Sequence, residues 1–271
     1  MPITAIVGGT GAGKTSFLVY KLKTHVITER RARLNKCIAK IEEFNKTRKN
    51  PLSKPDRAPF YTNFDVSIPI GYKKTYSPYW LNPYYFGMPN QGNETQPVMP
   101  YGVAFLTEMD RVYDSHKKDL PAMASELSNK NRHFWLDIYI DVHRIMNLNT
   151  LVRDNLNHVI EILKQEHEKD ELGRITKTTW FCREFDGAAK YLQYVESGEK
   201  NYTETTYEHV GDIFKYYDSY ECAKEFLPGE AEDFSLLELP SKTNVKKLPK
   251  DLAKLYDPTE PPNYRKKLEE D

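Results

Sequence analysis

The run Ile3 to Ser16, I-T-A-I-V-G-G-T-G-A-G-K-T-S, constrains the fold of this chain more than any other stretch. A short β-branched apolar segment breaks into glycines and then into a lysine, a hydroxyl residue and a helical pattern. Gly8, four residues, and then Gly13, Lys14 and Thr15 satisfy the G-x-x-x-x-G-K-[ST] spacing of a phosphate-binding loop in its strand, loop and helix setting. Gly8, Gly9, Gly11 and Gly13, with Thr10 and Ala12 among them, let the backbone close round an anion with its N–H groups pointing inward. The helix opening at Lys14, Thr15 and Ser16 adds the positive end of its dipole. Lys14 is placed to reach the β- and γ-phosphates of ATP, and the Thr15 hydroxyl to complete the coordination of Mg²⁺. A glycine-rich turn without a ligand would need neither residue.

Composition then sets the frame. The 271 residues can hold one large α/β domain with decoration, or a domain plus a tail. Lys plus Arg and Asp plus Glu are both 39, so net charge names no nucleic-acid partner and leaves only local patches. Cys37, Cys182 and Cys222 are far apart and lack metal-ligand spacing, which reads as free thiols in a reducing cytosol. No run reaches the roughly 18 apolar residues of a membrane span, and Met1 leads directly into a strand, so the expectation is a soluble protein of the cytoplasm.

Along the chain, Ser16 to about Lys46 repeats apolar residues near a 3.6-residue period and predicts a long helix. The basic second half of that helix, Arg30 to Lys49, either projects as a solvated face or touches a phosphate backbone. Pro59 to Val66 suits a second core strand, and Pro69 to Pro100 reads as an irregular insertion rich in tyrosine and lysine. Its rings would stack on bases, pack on a partner or bury themselves on their own domain. Val103 to Leu106 is an apolar strand ending in Thr107 and Glu108, where a nucleotide hydrolase places its acidic element. A helix over Asp119 to Asn131 and a strand over Phe134 to His143 follow. Val159 to Glu166 and Ile175 to Arg183, joined by a turn-rich segment, predict a hairpin attached to the core. The fold class is therefore α/β: a P-loop NTPase with a mainly parallel sheet flanked by helices, an appended β-hairpin and a mobile C-terminal tail. Its ATPase domain spans 1–227, with the insertion at 69–100, and the charged, proline-containing tail spans 228–271.

These pieces resemble the zonular occludens toxin-like (Zot) family, the filamentous-phage assembly ATPases grouped with the FtsK/HerA motors. The resemblance rests on the phosphate loop, on Tyr61-Thr62-Asn63, on Val103 to Glu108 with Asp110-Arg111-Val112-Tyr113, and on Asn131-Arg132-His133-Phe134-Trp135-Leu136-Asp137-Ile138. Tyr217-Asp218-Ser219-Tyr220 resembles the element closing the family's ATPase region, so the likeness covers about residues 1 to 222. It implies an ATP-driven, ring-forming motor that moves DNA during virion assembly or genome packaging, with further copies of itself and a capsid or membrane assembly protein as partners. Where the family ends its third core strand in Asp-Glu, this chain has Thr107-Glu108, and a neutral residue there should weaken metal binding and slow hydrolysis. Where the family often has glutamine at the end of the next strand, this chain has His143. The membrane span that follows the ATPase region in filamentous-phage members is also missing, which favours a soluble relative.

The candidate catalytic residues are thus Lys14, Glu108, Arg132 and His143, with Thr15 and Glu108 at the metal. Glu108 either orients and deprotonates water or caps the helix after it, with Asp110 as the reserve acid. Arg132 is either an arginine finger acting on a neighbour's nucleotide or a surface residue paired with Asp137 or Glu126, and Arg144 and Arg153 compete for the finger role. His143 either senses the γ-phosphate or is a hydrogen-bonded core histidine. Two other functions fit a phosphate loop: a small-molecule or nucleoside kinase, disfavoured by the lack of arginine in the 69–100 insertion, and a nucleotide switch with weak hydrolysis.

Overall fold

A computed structural model describes residues 2–47, 49, 51–83, 98–116 and 131–218. The predicted helix over Asp119 to Asn131, most of the aromatic insertion, Cys222 and the tail lie outside these residues, apart from Asn131 itself.

The core is one eight-stranded sheet. Its strands are β1 (Ile3–Val7), β2 (Phe60–Thr62), β5 (Tyr79–Trp80), β6 (Val103–Leu106), β7 (Asp137–Val142), β8 (His158–Lys169), β9 (Ile175–Phe185) and β10 (Thr203–Val210). β3 (Ile68–Gly71) and β4 (Lys74–Tyr76) pair separately as a small antiparallel sheet. The order β10-β9-β8-β1-β7-β6-β2-β5 runs parallel from β8 to β5 and antiparallel from β8 to β10. β1 sits between β7 and β8 with all five residues buried, as a central parallel strand covered on both faces must be.

Helix α1 (Lys14–Asn45) supplies one covering layer. Phe17, Leu18, Val19, Leu22 and Val26 pack in one cluster with Ile6, Val103, Phe105, Ile160 and Trp180. The opposite face holds Ile3, Ala5, Val7, Ala104, Leu106, Ile138 and Ile140, packed in a cluster with Met109 and Val112 of α2 (Met109–Val112), Val152 of α3 (Thr150–Arg153) and Ala188 of α4 (Ala188–Ser197). Along β6 the residues alternate between these two clusters, the period-two signature of a strand sandwiched between layers. At about 1.5 Å per residue α1 is about 48 Å long, far longer than the strands it covers. Its second half does not simply project. Cys37 and Ile41 are buried in one cluster with Tyr61, Tyr79 and Leu81, Lys40 lies over the Trp135 ring, and Arg33 pairs with Asp137. Arg31 and Lys36 remain exposed.

The hairpin forms as the sequence predicts and is attached to the parallel core. β8 pairs in parallel with β1 through Thr4 and His158 to Val7 and Glu161, and β9 and then β10 extend the sheet beyond it. The expected strand at Pro59 to Val66 shortens to Phe60–Thr62, and part of the insertion, read as irregular, is ordered as β3, β4 and β5. Among the described residues no helix is long and apolar enough to cross a membrane.

Candidate functional site

The site lies where β1, β6 and β7 end together. Val7 faces Val142 across the ladder and Leu106 faces Ile140, so the loop after β1, Thr107 and Glu108 after β6, and His143 after β7 emerge at one edge. In a parallel sheet this is where a ligand binds.

Gly13 stands at the N-cap of α1 with φ 89°, a left-handed conformation suited to glycine, and a Cβ there would run into the Gln165 side chain. A Cβ at Gly8 would approach the Ile162 carbonyl oxygen to 2.9 Å, so the loop lies tight against β8. No side chain caps α1 and its first turn holds no acid, so the positive end of the helix is left uncompensated toward the loop. The Lys14 ammonium folds back on the loop and donates to the carbonyl oxygens of Gly8 (3.1 Å) and Gly9 (3.3 Å), while Gly9, Thr10 and Gly11 are exposed at its tip. Ser16 is tied into the base of the loop. Its hydroxyl donates to the Gly13 carbonyl (2.8 Å) and accepts from Gln165 Nε2 (2.8 Å) and the Trp180 indole (3.3 Å). All its hydrogen-bonding positions are taken, so the Ser16 side chain anchors the loop and has none left for a nucleotide.

The centre of the site is a residue that the sequence did not single out. Asp141, in β7, is 1 % exposed. Its Oδ2 accepts from the hydroxyls of Thr15 (3.1 Å) and Thr107 (2.8 Å), and its Oδ1 accepts from the Glu108 N–H (2.6 Å). Burial pushes this carboxyl above the usual carboxylate range, opposed by the Glu108 N–H, by Thr107, by the charge of Lys14 and by Thr15. Asn63 fastens the same corner, accepting from the Thr107 N–H (2.8 Å) and donating to the Thr107 carbonyl (3.0 Å). This gives the Tyr61-Thr62-Asn63 stretch a physical task.

Glu108 adopts φ 55° and ψ 39°, a left-handed conformation costly to any residue with a Cβ. Its side chain makes no cap hydrogen bond to α2, so the helix-cap reading fails. The carboxylate pairs with Arg111 (3.2 Å), and burial raises its pKa, Arg111 opposing and Asp141 adding to the rise. Asp110 is not a spare acid at the centre. Its Oδ2 accepts from the His143 N–H (3.0 Å) and lies 3.5 Å from His143 Nδ1, so it holds His143 in place. The His143 side chain is 36 % exposed, unlike a core histidine.

Arg132 lies five residues before the start of β7, whereas the loop side is where β7 ends, so it stands at the opposite edge of the sheet from the phosphate loop. Its predicted partner Asp137 is taken by Arg33 at 2.7 Å. Arg153 pairs with Asp154 (3.6 Å), and Arg144, exposed and next to His143, is the arginine that β7 delivers to the loop side.

The donors converging here are oxygens, which suits Mg²⁺. Among the described residues no three His, Cys, Asp or Glu side chains form a ready-made metal cluster, and none is required where phosphate oxygens, a hydroxyl and waters complete the shell. The hydroxyl in this set is that of Thr15, which donates to Asp141.

A mainly parallel sheet flanked by helices, with a phosphate loop leading from β1 into α1, is the fold of a P-loop NTPase. No family model matches the chain, and no curated protein matches it. Among solved structures the chain is similar to the N-terminal domain of zonular occludens toxin from Neisseria meningitidis, at 14% identity and TM-score 0.43, over 80% of this chain and 98% of that one. It is also similar to the genome packaging NTPase B204 from Sulfolobus turreted icosahedral virus 2 in complex with AMP, at 12% identity and TM-score 0.37, over 78% and 98%. B204 of Sulfolobus turreted icosahedral virus, a DNA-packaging ATPase, matches at 9% identity and TM-score 0.36 over the same shares. At these TM-scores the likeness carries no part of the functional reading.

Proposed function

We propose that this protein binds ATP at the loop Gly8 to Ser16, hydrolyses it and uses the energy to move DNA in genome packaging or virion assembly. The hydrolytic half is carried by one observation: Thr15 of the loop and Thr107 at the end of β6 meet on a single buried carboxylate, with Glu108 beside them. The DNA-moving half rests on the sequence resemblance to phage assembly ATPases.

Lys14 exchanges its loop carbonyls for the phosphates, which offer an ammonium far stronger acceptors. Bound with the nucleotide, Mg²⁺ would neutralise charge on the β- and γ-oxygens. Glu108 orients a water for attack on the γ-phosphorus and takes up its proton, and its raised pKa brings it closer to the strength of a useful base. The water oxygen forms the new bond to phosphorus, the bond to the ADP oxygen breaks, and the proton passes on to the released phosphate.

The test is steady-state ATP hydrolysis with no DNA, with single-stranded DNA and with double-stranded DNA, using Glu108→Gln as the control. Turnover stimulated by DNA and lost in the variant is expected. Absence of turnover sinks the enzyme, whereas turnover indifferent to both forms of DNA removes the motor and returns the kinase reading.

A further inference from the structure

The end of β6 carries a neutral Thr107 where a metal-shell acid would stand, yet a carboxylate is present within hydrogen-bond distance of both Thr107 and the loop. We propose that Asp141, on the neighbouring strand β7, is the acidic residue of the Mg²⁺ shell, and that Thr107 is the bracket that holds it against Thr15. This rests on the nucleotide-binding reading given above.

Three observations carry it. Asp141 bonds to the one loop hydroxyl that would ligate the ion, which is the link an outer-shell acid must make to hold a water of the shell and orient that hydroxyl. The ladder brings it there: Ile6 faces Asp141 and Val7 faces Val142, so this side chain stands one residue short of the edge where the loop begins. Among the described residues its Oδ1 accepts one hydrogen bond, from the Glu108 N–H, which leaves a lone pair for a water of the ion. Thr107 and Asp141 thus divide between two strands what one aspartate would do from the end of β6. The expected weakening of metal binding by Thr107 does not then follow.

The test compares the affinity of a non-hydrolysable ATP analogue in EDTA and in excess Mg²⁺, by calorimetry, for the full chain and its variants. Wild type is expected to gain about tenfold or more from Mg²⁺. Asp141→Asn should lose most of the Mg²⁺ gain, read as the ratio of its own affinities in the two buffers. The exchange Thr107→Asp with Asp141→Thr returns the carboxylate to β6 and should recover the gain, which also decides the matter if Asp141→Asn does not fold. An undiminished Mg²⁺ gain in Asp141→Asn overturns the assignment and leaves nucleotide binding intact. So does an exchange variant that folds and binds in EDTA without recovering the gain. Wild type that binds the analogue in neither buffer overturns the nucleotide-binding reading and this assignment together.

Discussion

Two residues of the loop decide what it can hold. Lys14 is buried and, among the described residues, donates to two carbonyls of the loop itself, so Lys14→Ala removes the cation that the proposed site offers the phosphates. Nucleotide affinity in that variant should fall by two orders of magnitude or about 3 kcal/mol, read by calorimetry. Gly13 fails differently. Gly13→Ala puts a Cβ at φ 89° and against Gln165, so it should cost about 1–3 kcal/mol of stability in urea unfolding and loosen the loop even without ligand. The sequence made both residues legible because glycine, lysine and threonine at fixed spacing have few other reasons to occur together. It did not make Asp141 legible. Its partner Thr15 is 126 residues away, and nothing local marks which aspartate of D-I-Y-I-D will meet the loop. The available signal was a carboxylate near the end of an otherwise apolar strand, one strand over from where an acid was expected.

At the scale of the element, β7 and α1 form one polar seam across the middle of the protein. Asp137, Tyr139 and Asp141 share a face of β7 and meet Arg33 (2.7 Å), His25 (3.2 Å) and Thr15 (3.1 Å) in turn on α1. Hydrophobic burial alone does not specify how far a helix slides along a sheet, whereas three directional bonds do, and the last of them sets the site. Arg33→Ala removes the far anchor and strands Asp137, for an expected loss of about 1.5–3 kcal/mol in urea unfolding. β10 contributes a pH dependence. Burial pushes His209 down to about 4, with Lys23 lowering it further and Asp212 opposing, and its Nε2 has no hydrogen-bond partner. The fold therefore holds it neutral, while the unfolded chain protonates near 6.5. Stability present above pH 6.5 should decline as the pH falls toward 4, by up to about 1.4 kcal/mol per pH unit. His209→Gln should flatten that part of the pH profile of the urea midpoint. β10 and α4 escaped the sequence reading because T-E-T-T-Y-E-H-V is mostly exposed and polar, so its pairing with β9 and not its own pattern makes it a strand.

At the scale of the whole molecule, arginines stand at both ends of β7. Arg144 follows β7 on the edge of the phosphate loop, and Arg132 precedes it on the other. If copies of this chain assemble into a ring, a finger for a neighbour's γ-phosphate has to come from whichever edge faces that neighbour. Placement beside His143 selects Arg144: Arg144→Ala should lower kcat on the order of a thousandfold while Arg132→Ala stays near wild type, measured as turnover at saturating ATP. The reverse result would mean that the far edge of one subunit packs on the loop edge of the next.

What the sequence determined by itself was the class of fold and the phosphate end of the site. Spacing in the loop, the period of α1, the apolar runs of β6 and β7, and the β8–β9 hairpin are local properties, written by sterics and by burial period over a few residues. Only the tertiary structure decided that β7 lies beside β1, that Ser16 is spent on Gln165 and Trp180, that Arg132 faces away from the loop, and that Asp141 joins Thr15 to Thr107. The physical reason is range. Strand order and the meeting of side chains across it are set by the packing of two layers on one sheet, and no stretch of chain carries that information until the layers close.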